Sequence, residues 1–532
     1  VAATPQRIWR AACPHCGAPV AFASAASASA VCTYCRSTLL RDGETLRRIG
    51  VSAELFDDHS PLQLGVRGQR QGVAFTLVGR LQYGYEGGSW NEWHALFENG
   101  QGLQRSAWLS EDNGAYVIAF DAPLPADAPA LDRLRAGARV LADGRAWDVA
   151  SVVQAHLIAA QGELPRPPRL DGAFTVIDLR NSAGEVATLD GSDPAQAGWA
   201  VGRSVLLAEL ALSGLKDGSE KTLDARAFEC PSCGAALDVR LSSTQSIACG
   251  QCHAVVDVSQ GVGAELAHFA QNNPGAIEPQ LPLGRSGPLA LGGPLLHWQV
   301  VGYLERCTVP DAAGDETWFW REYLLYEPQA GFAFLVDSDD GWSWVQPITG
   351  VPVVRGGQAQ WQGVSYRQRE AYQARVSWVQ GEFYWRVRRD EVAAVTDYEG
   401  SGGSDSDGAR RLSQERSASE VTWSAGATLS AAEVAQAFAL EPAARAGLQR
   451  DVGPVAFGGA TAARMGLIVV VAVIVLVLLL SRCSRDDCAQ VKDTFGAAST
   501  EYRQCSQNQG GSGVRTGGGS YGGWSSGGGG HK

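Results

Sequence analysis

Apolar and polar positions alternate along much of the chain in short runs of period two. The stretches "GVAFTLVGRLQY", "YVIAFDA", "AWDVASVVQAHL", "FAFLVDS", "GWSWVQPI" and "YQARVSWVQGEFYWRVRR" carry the pattern. They are rich in aromatic and β-branched residues, as half-buried strands are. Glycine- and aspartate-rich punctuation separates them, as in "YEGGS", "SEDNG" and "DSDDG". Many short strands with no helical run between them predict a sandwich or a small barrel. A helical period appears only late, in "LSAAEVAQAFAL". There Ser430 and Glu433 form a capping box, and Val434 and Phe438 give the apolar side. The fold class expected is mainly β.

The strand pattern occurs twice. "PLQLGVRGQRQGVAFTLVGRL", from Pro61, matches "PLALGGPLLHWQVVGYLERC", from Pro288, and both contain Val-Gly-x-Leu at Val78–Leu81 and Val301–Leu304. "WNEWHALF" from Trp90 parallels "WREYLLY" from Trp320, and "AHLIAAQGE" from Ala155 parallels "ARVSWVQGE" from Ala374. Two copies indicate a duplication and not a solenoid. The β modules are placed at 50–215 and 280–400. A hinge at 401–420, "GSGGSDSDGARRLSQERSAS" in composition, is followed by a short helical extension at 421–445.

Ahead of each module lies a pair of cysteine knuckles, at 8–45 and 226–260. Cys13, Cys16, Cys32 and Cys35 follow the pattern Cys-x2-Cys-x15-Cys-x2-Cys, and Cys230, Cys233, Cys249 and Cys252 repeat it. This is the spacing of a four-thiolate zinc ribbon. Four thiolates close the coordination shell, so two structural Zn2+ ions are expected and no catalytic metal. His15 and His253 lie beside the clips but are surplus to them.

Charge narrows the function classes. The formal net charge of −12 disfavours nucleic acid, whose affinity comes mostly from cations that neutralise phosphates. The uncharged run "MGLIVVVAVIVLVLLLS" at 465–481, flanked by Arg464 and Arg482, reads as a single transmembrane helix. Thiolate clips need a reducing compartment. The expected placement is therefore single-pass in a bacterial inner membrane, with the amino-terminal bulk cytosolic and a short tail outside. That tail, 482–532, ends in "GGSGVRTGGGSYGGWSSGGGGHK" and is expected to be largely disordered. Whether Cys488 and Cys505 pair is left open, since connectivity does not follow from sequence.

The Pro-Leu-x-Leu-Gly starts and two further motifs carry a family likeness. One is Trp-x-Glu-Trp/Tyr, at Trp90, Glu92, Trp93 and at Trp320, Glu322, Tyr323; the other is Gly-Glu-Phe-x-Trp at Gly381–Trp385. They resemble a bacterial family known as domain of unknown function 4178, found with zinc ribbons and a carboxy-terminal membrane span. The resemblance implies no chemistry. It implies only an association with membrane-stress proteins of the phage-shock type, small multi-span proteins and polyamine-synthesis enzymes. In the first copy "GELP" stands for "GEFYW", and 164–176 looks inserted. A site lined by those family positions would be lost there.

Three functions are weighed. The leading expectation is a membrane-anchored scaffold that presents two ribbon-plus-β units to protein partners. The second is a small-ligand binder or enzyme using Glu92 or Glu322, carboxyls set among aromatics that can raise their pKa by desolvation, with Glu163 and Glu382 as further candidates. The third, nucleic-acid binding through Tyr34, Arg36 and Arg41 of the first ribbon, is disfavoured by the acidic balance. No catalytic or cofactor-binding residue is assigned, and no enzyme class is claimed.

Overall fold

The computed structural model describes residues 9–448, apart from 23, 25–26, 43–44, 52–59, 87, 99–103, 113–114, 217–227, 242–243, 259–266, 272–278, 311–315, 329, 388–390 and 401–408. Each module is a closed antiparallel barrel of eight strands. Barrel 1 comprises β1 (Val73–Tyr85), β2 (Gly88–Glu98), β3 (Gln104–Asp112), β4 (Ala115–Ala122), β5 (Arg145–Leu164), β6 (Phe174–Arg180), β7 (Glu185–Asp190) and β8 (Gly198–Val205). Two four-stranded meanders, β1–β4 and β5–β8, join edge to edge: β4 pairs β8, and β5 pairs β1. Barrel 2 repeats this arrangement with β9 (Leu296–Thr308), β10 (Phe319–Glu327), β11 (Gly331–Ser338), β12 (Gly341–Ile348), β13 (Val364–Phe383), β14 (Val392–Gly400), β15 (Arg410–Arg416) and β16 (Val421–Leu429). The pairings β12–β16 and β13–β9 close it.

The seam explains the repeated glycines. Gly79 lies opposite Gly162, and Gly302 opposite Gly381. A Cβ on Gly162 would overlap the Val78 carbonyl oxygen, and one on Gly381 would overlap that of Val301. Gly162 and Gly381 also have φ of +71° and +82°, a region L side chains rarely adopt. The Val-Gly-x-Leu and Gln-Gly-Glu motifs are thus the two sides of one close strand crossing.

The first meander of each barrel buries both faces. Its inner face lines the barrel. In barrel 1 its outer face carries Phe75, Leu77, Trp93 and Ile118 under Leu62, Val66 and Leu210. In barrel 2 the outer face carries Trp298, Tyr303, Tyr323 and Trp342 under Val434 of α1 (Ala431–Ala437) and Phe438, the residue after it. The capping box of Ser430 and Glu433 opens α1, with the Glu433 amide donating to Ser430 Oγ at 3.2 Å. Arg285 fastens the other end through the carbonyls of Phe438 and Ala439, at 2.9 and 2.7 Å. A second short helix, α2 (Pro442–Leu448), follows. The barrels meet where Val152 donates to the Ser419 carbonyl at 2.9 Å.

Three expectations are corrected. Strand β15 occupies part of the stretch read as a hinge, and β16 occupies part of the expected helical extension, so barrel 2 ends at Leu429 and not near 400. Its last two strands follow a Gly/Ser/Asp-rich stretch that masks their pattern. Second, no described helix is long and apolar enough to cross a membrane. Helices α1 and α2 have seven residues each, about 10 Å against a hydrocarbon core of about 30 Å. The transmembrane helix is therefore removed from the fold class; segments 465–481 and 482–532 lie outside the described residues. Third, the single-pass membrane location that rested on that helix is withdrawn with it.

Replacing Gly381 with Ala should cost about 2–4 kcal/mol, the sum of backbone strain at positive φ and local overpacking. Gly293→Ala, where a Cβ meets nothing within 4 Å, should leave thermal unfolding unchanged. Differential scanning calorimetry of both variants checks this.

Candidate functional sites: two cysteine clusters and an open barrel

In each ribbon the four cysteines converge. The sulfurs of Cys13, Cys16, Cys32 and Cys35 lie within 4.8 Å of one another, as do those of Cys230, Cys233, Cys249 and Cys252. Cys13–Cys35 and Cys16–Cys32 are 3.7 Å apart; Cys230–Cys252 and Cys233–Cys249 are 3.7 and 3.8 Å apart. A disulfide would need about 2.05 Å. A tetrahedral ion with thiolates at about 2.3 Å sets its sulfurs about 3.8 Å apart, so both groups are positioned to hold a metal ion. Every knuckle ends in a left-handed residue whose N–H returns to the first cysteine's carbonyl: Gly17, Arg36, Gly234 and His253. His253 is thus a turn residue, its ring 5.7 Å from that of Trp378. On the first ribbon Tyr34 and Arg36 are exposed, whereas Arg41 lies over the Phe22 ring.

Glu163 and Glu382 sit where ribbon meets barrel. The end of β5 pairs with Ser29–Val31, and the end of β13 with Ser246–Ile247. Glu382 accepts from the amides of Arg240 and Leu241, at 3.0 and 2.9 Å, and from Thr244 Oγ1 at 2.5 Å. Glu163 accepts from the Ser24 amide at 3.2 Å. Burial raises the Glu382 pKa, while these donors work against the rise. These acids fasten ribbon to barrel and do not reach the barrel centre.

The Trp-x-Glu motifs divide between the two faces of their strands. Trp90 and Glu92 on β2, and Trp320 and Glu322 on β10, point into the barrels. In each pair the indole N–H donates to the carboxylate two residues on, at 3.1 Å in barrel 1 and 2.7 Å in barrel 2. Trp93 and Tyr323 point outward. The Trp93 indole donates to Glu111 at 2.8 Å, and the Tyr323 ring stacks on Trp342 at 5.6 Å. These two belong to the covered outer face and not to a site.

The interiors of the two barrels differ. In barrel 2 the Arg306 guanidinium, 3 % exposed, lies between Glu415 (3.1 Å) and Glu322 (3.8 Å). Burial opposes its charge, but the two carboxylates outweigh that and raise its pKa. Phe383, the last residue of the long β13, and Tyr384 and Trp385 after it are buried in the same apolar cluster as Phe334 and Val345. Barrel 1 instead encloses a cavity of about 610 Å³, within the range of small-molecule sites. It is larger than the two clefts between the barrels, about 270 and 360 Å³. Glu92, Trp108, Ser110, Asp121 and Asp190 line its walls, and residues of the 166–171 and 192–194 loops form its rim. Ser110 Oγ donates to Glu92 at 2.6 Å, and the Ser192 amide donates to Asp190 at 2.7 Å. Burial raises the pKa of Asp121, against the pull of Arg166 and an indole hydrogen bond from Trp108.

Of the residues singled out from sequence, Glu92 lines the open cavity and Glu322 a filled one. Trp108, Asp121, Asp190, Arg306 and Glu415 were not anticipated, because they sit on strands far from the motif and meet it only through barrel closure. The 164–176 stretch that looks inserted in copy one supplies part of the cavity rim, through Arg166, Pro167, Pro168, Arg169 and Asp171.

The family model described as domain of unknown function (DUF4178) matches residues 63–207 and 295–431, one match in each barrel. No curated protein and no solved structure matches the chain.

His94, fully buried, makes contacts of 2.9 Å through Nδ1 to the Glu163 carbonyl and through Nε2 to Ser106 Oγ. The carbonyl only accepts, so Nδ1 carries a proton, and in the neutral ring Nε2 accepts from the Ser106 hydroxyl. Burial lowers its pKa from 6.5 to about 4. The unfolded chain then binds more protons between these values, and stability falls as pH drops from 6.5 towards 4, by about 3 kcal/mol in all. Leu324 occupies the equivalent place in barrel 2. His94→Leu should flatten this part of the stability–pH profile, measured as urea midpoints across that range.

Proposed function

We propose, for a chain that belongs to the DUF4178 family, that barrel 1 is a receptor for a small polar molecule and that barrel 2 with the ribbons is its frame. The observation that carries this is the contrast between two barrels of one topology: one filled by its own side chains, the other open around Glu92. Among the described residues, the cavity lining offers carboxylates, hydroxyls and indoles, with two guanidiniums at the rim, polar groups that can orient a small polar molecule in a concave site. The adaptor reading has one observation in its favour, Tyr34 at 74 % exposure on the first ribbon; it gives no account of the cavity.

We assign zinc to both cysteine clusters. Four thiolates at tetrahedral spacing suit it, and a shell closed by sulfur leaves it a structural role. Elemental analysis of the purified chain should find two zinc ions, falling to one in Cys13→Ser. Iron in their place, with visible charge-transfer absorption, would reject the assignment.

The receptor reading is tested by screening small polar metabolites by thermal shift. Compounds that raise the melting temperature of the wild type should not raise that of Ala200→Trp, which places an indole in the cavity. A screen in which the two proteins respond alike would remove the reading.

A further inference from the structure

We infer that the ligand of barrel 1 is an organic cation with a guanidinium or ammonium head, seated where barrel 2 holds its own Arg306. This rests on the receptor reading and specifies its ligand. The strand registers give the correspondence. Arg306 pairs with Trp320 across β9–β10 as Tyr83 pairs with Trp90 across β1–β2. Glu322 and Glu92 follow those tryptophans by two residues. Glu415 pairs with Val395 as Asp190 pairs with Val176, and both valines stand two residues beyond the partner of the matching alanine, Ala374 or Ala155.

Barrel 2 therefore shows what fits between these two acids: a planar cation. The Arg306 guanidinium contacts Glu415 at 3.1 and 3.3 Å and Glu322 at 3.8 Å, with its Cζ 5.9 Å from the Trp320 ring centre. Such a buried charge is tolerated only with carboxylates around it. Barrel 1 keeps both acids, and at the position of Arg306 it has a tyrosine. Tyr83 stands at the arginine's place with its ring against Trp90 and Phe174, at 5.2 and 5.6 Å.

Among the described residues, the charges that face the cavity are five carboxylates and two guanidiniums: Glu92, Asp121, Asp171, Asp190 and Asp193 against Arg166 and Arg169. Both arginines are engaged at the rim. Arg166, 56 % exposed, pairs with Asp121 at 3.6 Å, and Arg169 donates to the Asp171 carbonyl at 2.8 Å. A concave site whose lining carries an excess of one sign of charge concentrates ligands of the other, and the Trp108 and Tyr83 rings suit the face of a cationic head. At about 610 Å³ the space takes a head group together with an alkyl chain.

Titration calorimetry of the full chain with n-butylguanidinium and n-butylammonium chlorides tests this, with n-butylurea and butyrate as neutral and anionic counterparts. The cations should bind, and Asp190→Asn or Glu92→Gln should weaken them about tenfold or more. Tyr83→Arg, which restores the barrel 2 arrangement, should abolish binding. Raising salt should weaken it as well. Equal binding of the urea or the butyrate would overturn the cation and leave the receptor standing. If no probe of any charge binds, and Ala200→Trp leaves the metabolite screen unchanged, the receptor reading itself fails. Should Tyr83→Arg not fold, Asp190→Asn decides: cation binding undiminished in that variant also overturns the inference.

Discussion

Closure along one seam is the constraint on which each unit depends. A sheet of eight strands with a long open edge would invite pairing with other chains; hydrogen bonding of β1 to β5, and of β9 to β13, removes the edge. The seam admits only backbone at its tightest point, hence a glycine on each side. Strands β5 and β13 then run past the seam, and their last residues pair with the ribbon. One strand therefore both closes the barrel and carries the hairpin that bears the second cysteine pair. The glutamate next to the seam glycine, Glu163 or Glu382, fixes the angle between the two parts by collecting donors from the ribbon.

With closure shared, the interiors were free to diverge. Both barrels place a carboxylate two residues after an inward tryptophan, and each must compensate its burial. Barrel 2 uses a guanidinium, and the residue opposite Glu322 is Val336. Barrel 1 has Ser110 opposite Glu92, and that hydroxyl donates to the acid. An internal ion pair rarely stabilises more than a well-packed apolar set would; its value lies in fixing one arrangement of the strands that contribute to it. Arg306 ties β9, β10 and β15 together across the barrel. In barrel 1 the same acids face space, and the hydroxyl keeps Glu92 oriented without filling it.

What could be read from sequence was what is local. Two cysteines two residues apart make a knuckle by themselves, so both four-cysteine groups were legible down to the residue. Alternation identified strands, and Glu92 and Glu322 were recognisable as acids among aromatics. Barrel closure was not legible, because it depends on which edges meet. Strands such as β10 and β11, buried on both faces, show no clean polar alternation to mark inside from outside. Arg306 and Glu415 are 109 residues apart, and only the register brings them together. The apolar run at 465–481 lies outside the described residues, among which no helix is long and apolar enough to cross a membrane.

The inserted rim is where the two copies differ most in consequence. After Glu382 the chain continues as Phe383-Tyr384-Trp385, whose rings pack on one another and on Phe332 and Phe334. After Glu163 it continues through Leu164-Pro165-Arg166-Pro167-Pro168. Pro167, Pro168 and Pro194 line the cavity mouth. Prolines have fixed φ and little side-chain reach, so they cannot fold inward as the aromatic triplet does, and the loop has less conformational freedom to lose when a ligand enters. A stiff rim keeps a polar cavity from collapsing onto its own carboxylates. A proline-lined mouth where barrel 2 has an aromatic plug, together with Tyr83 where barrel 2 has Arg306, distinguishes the open barrel from the self-filled one.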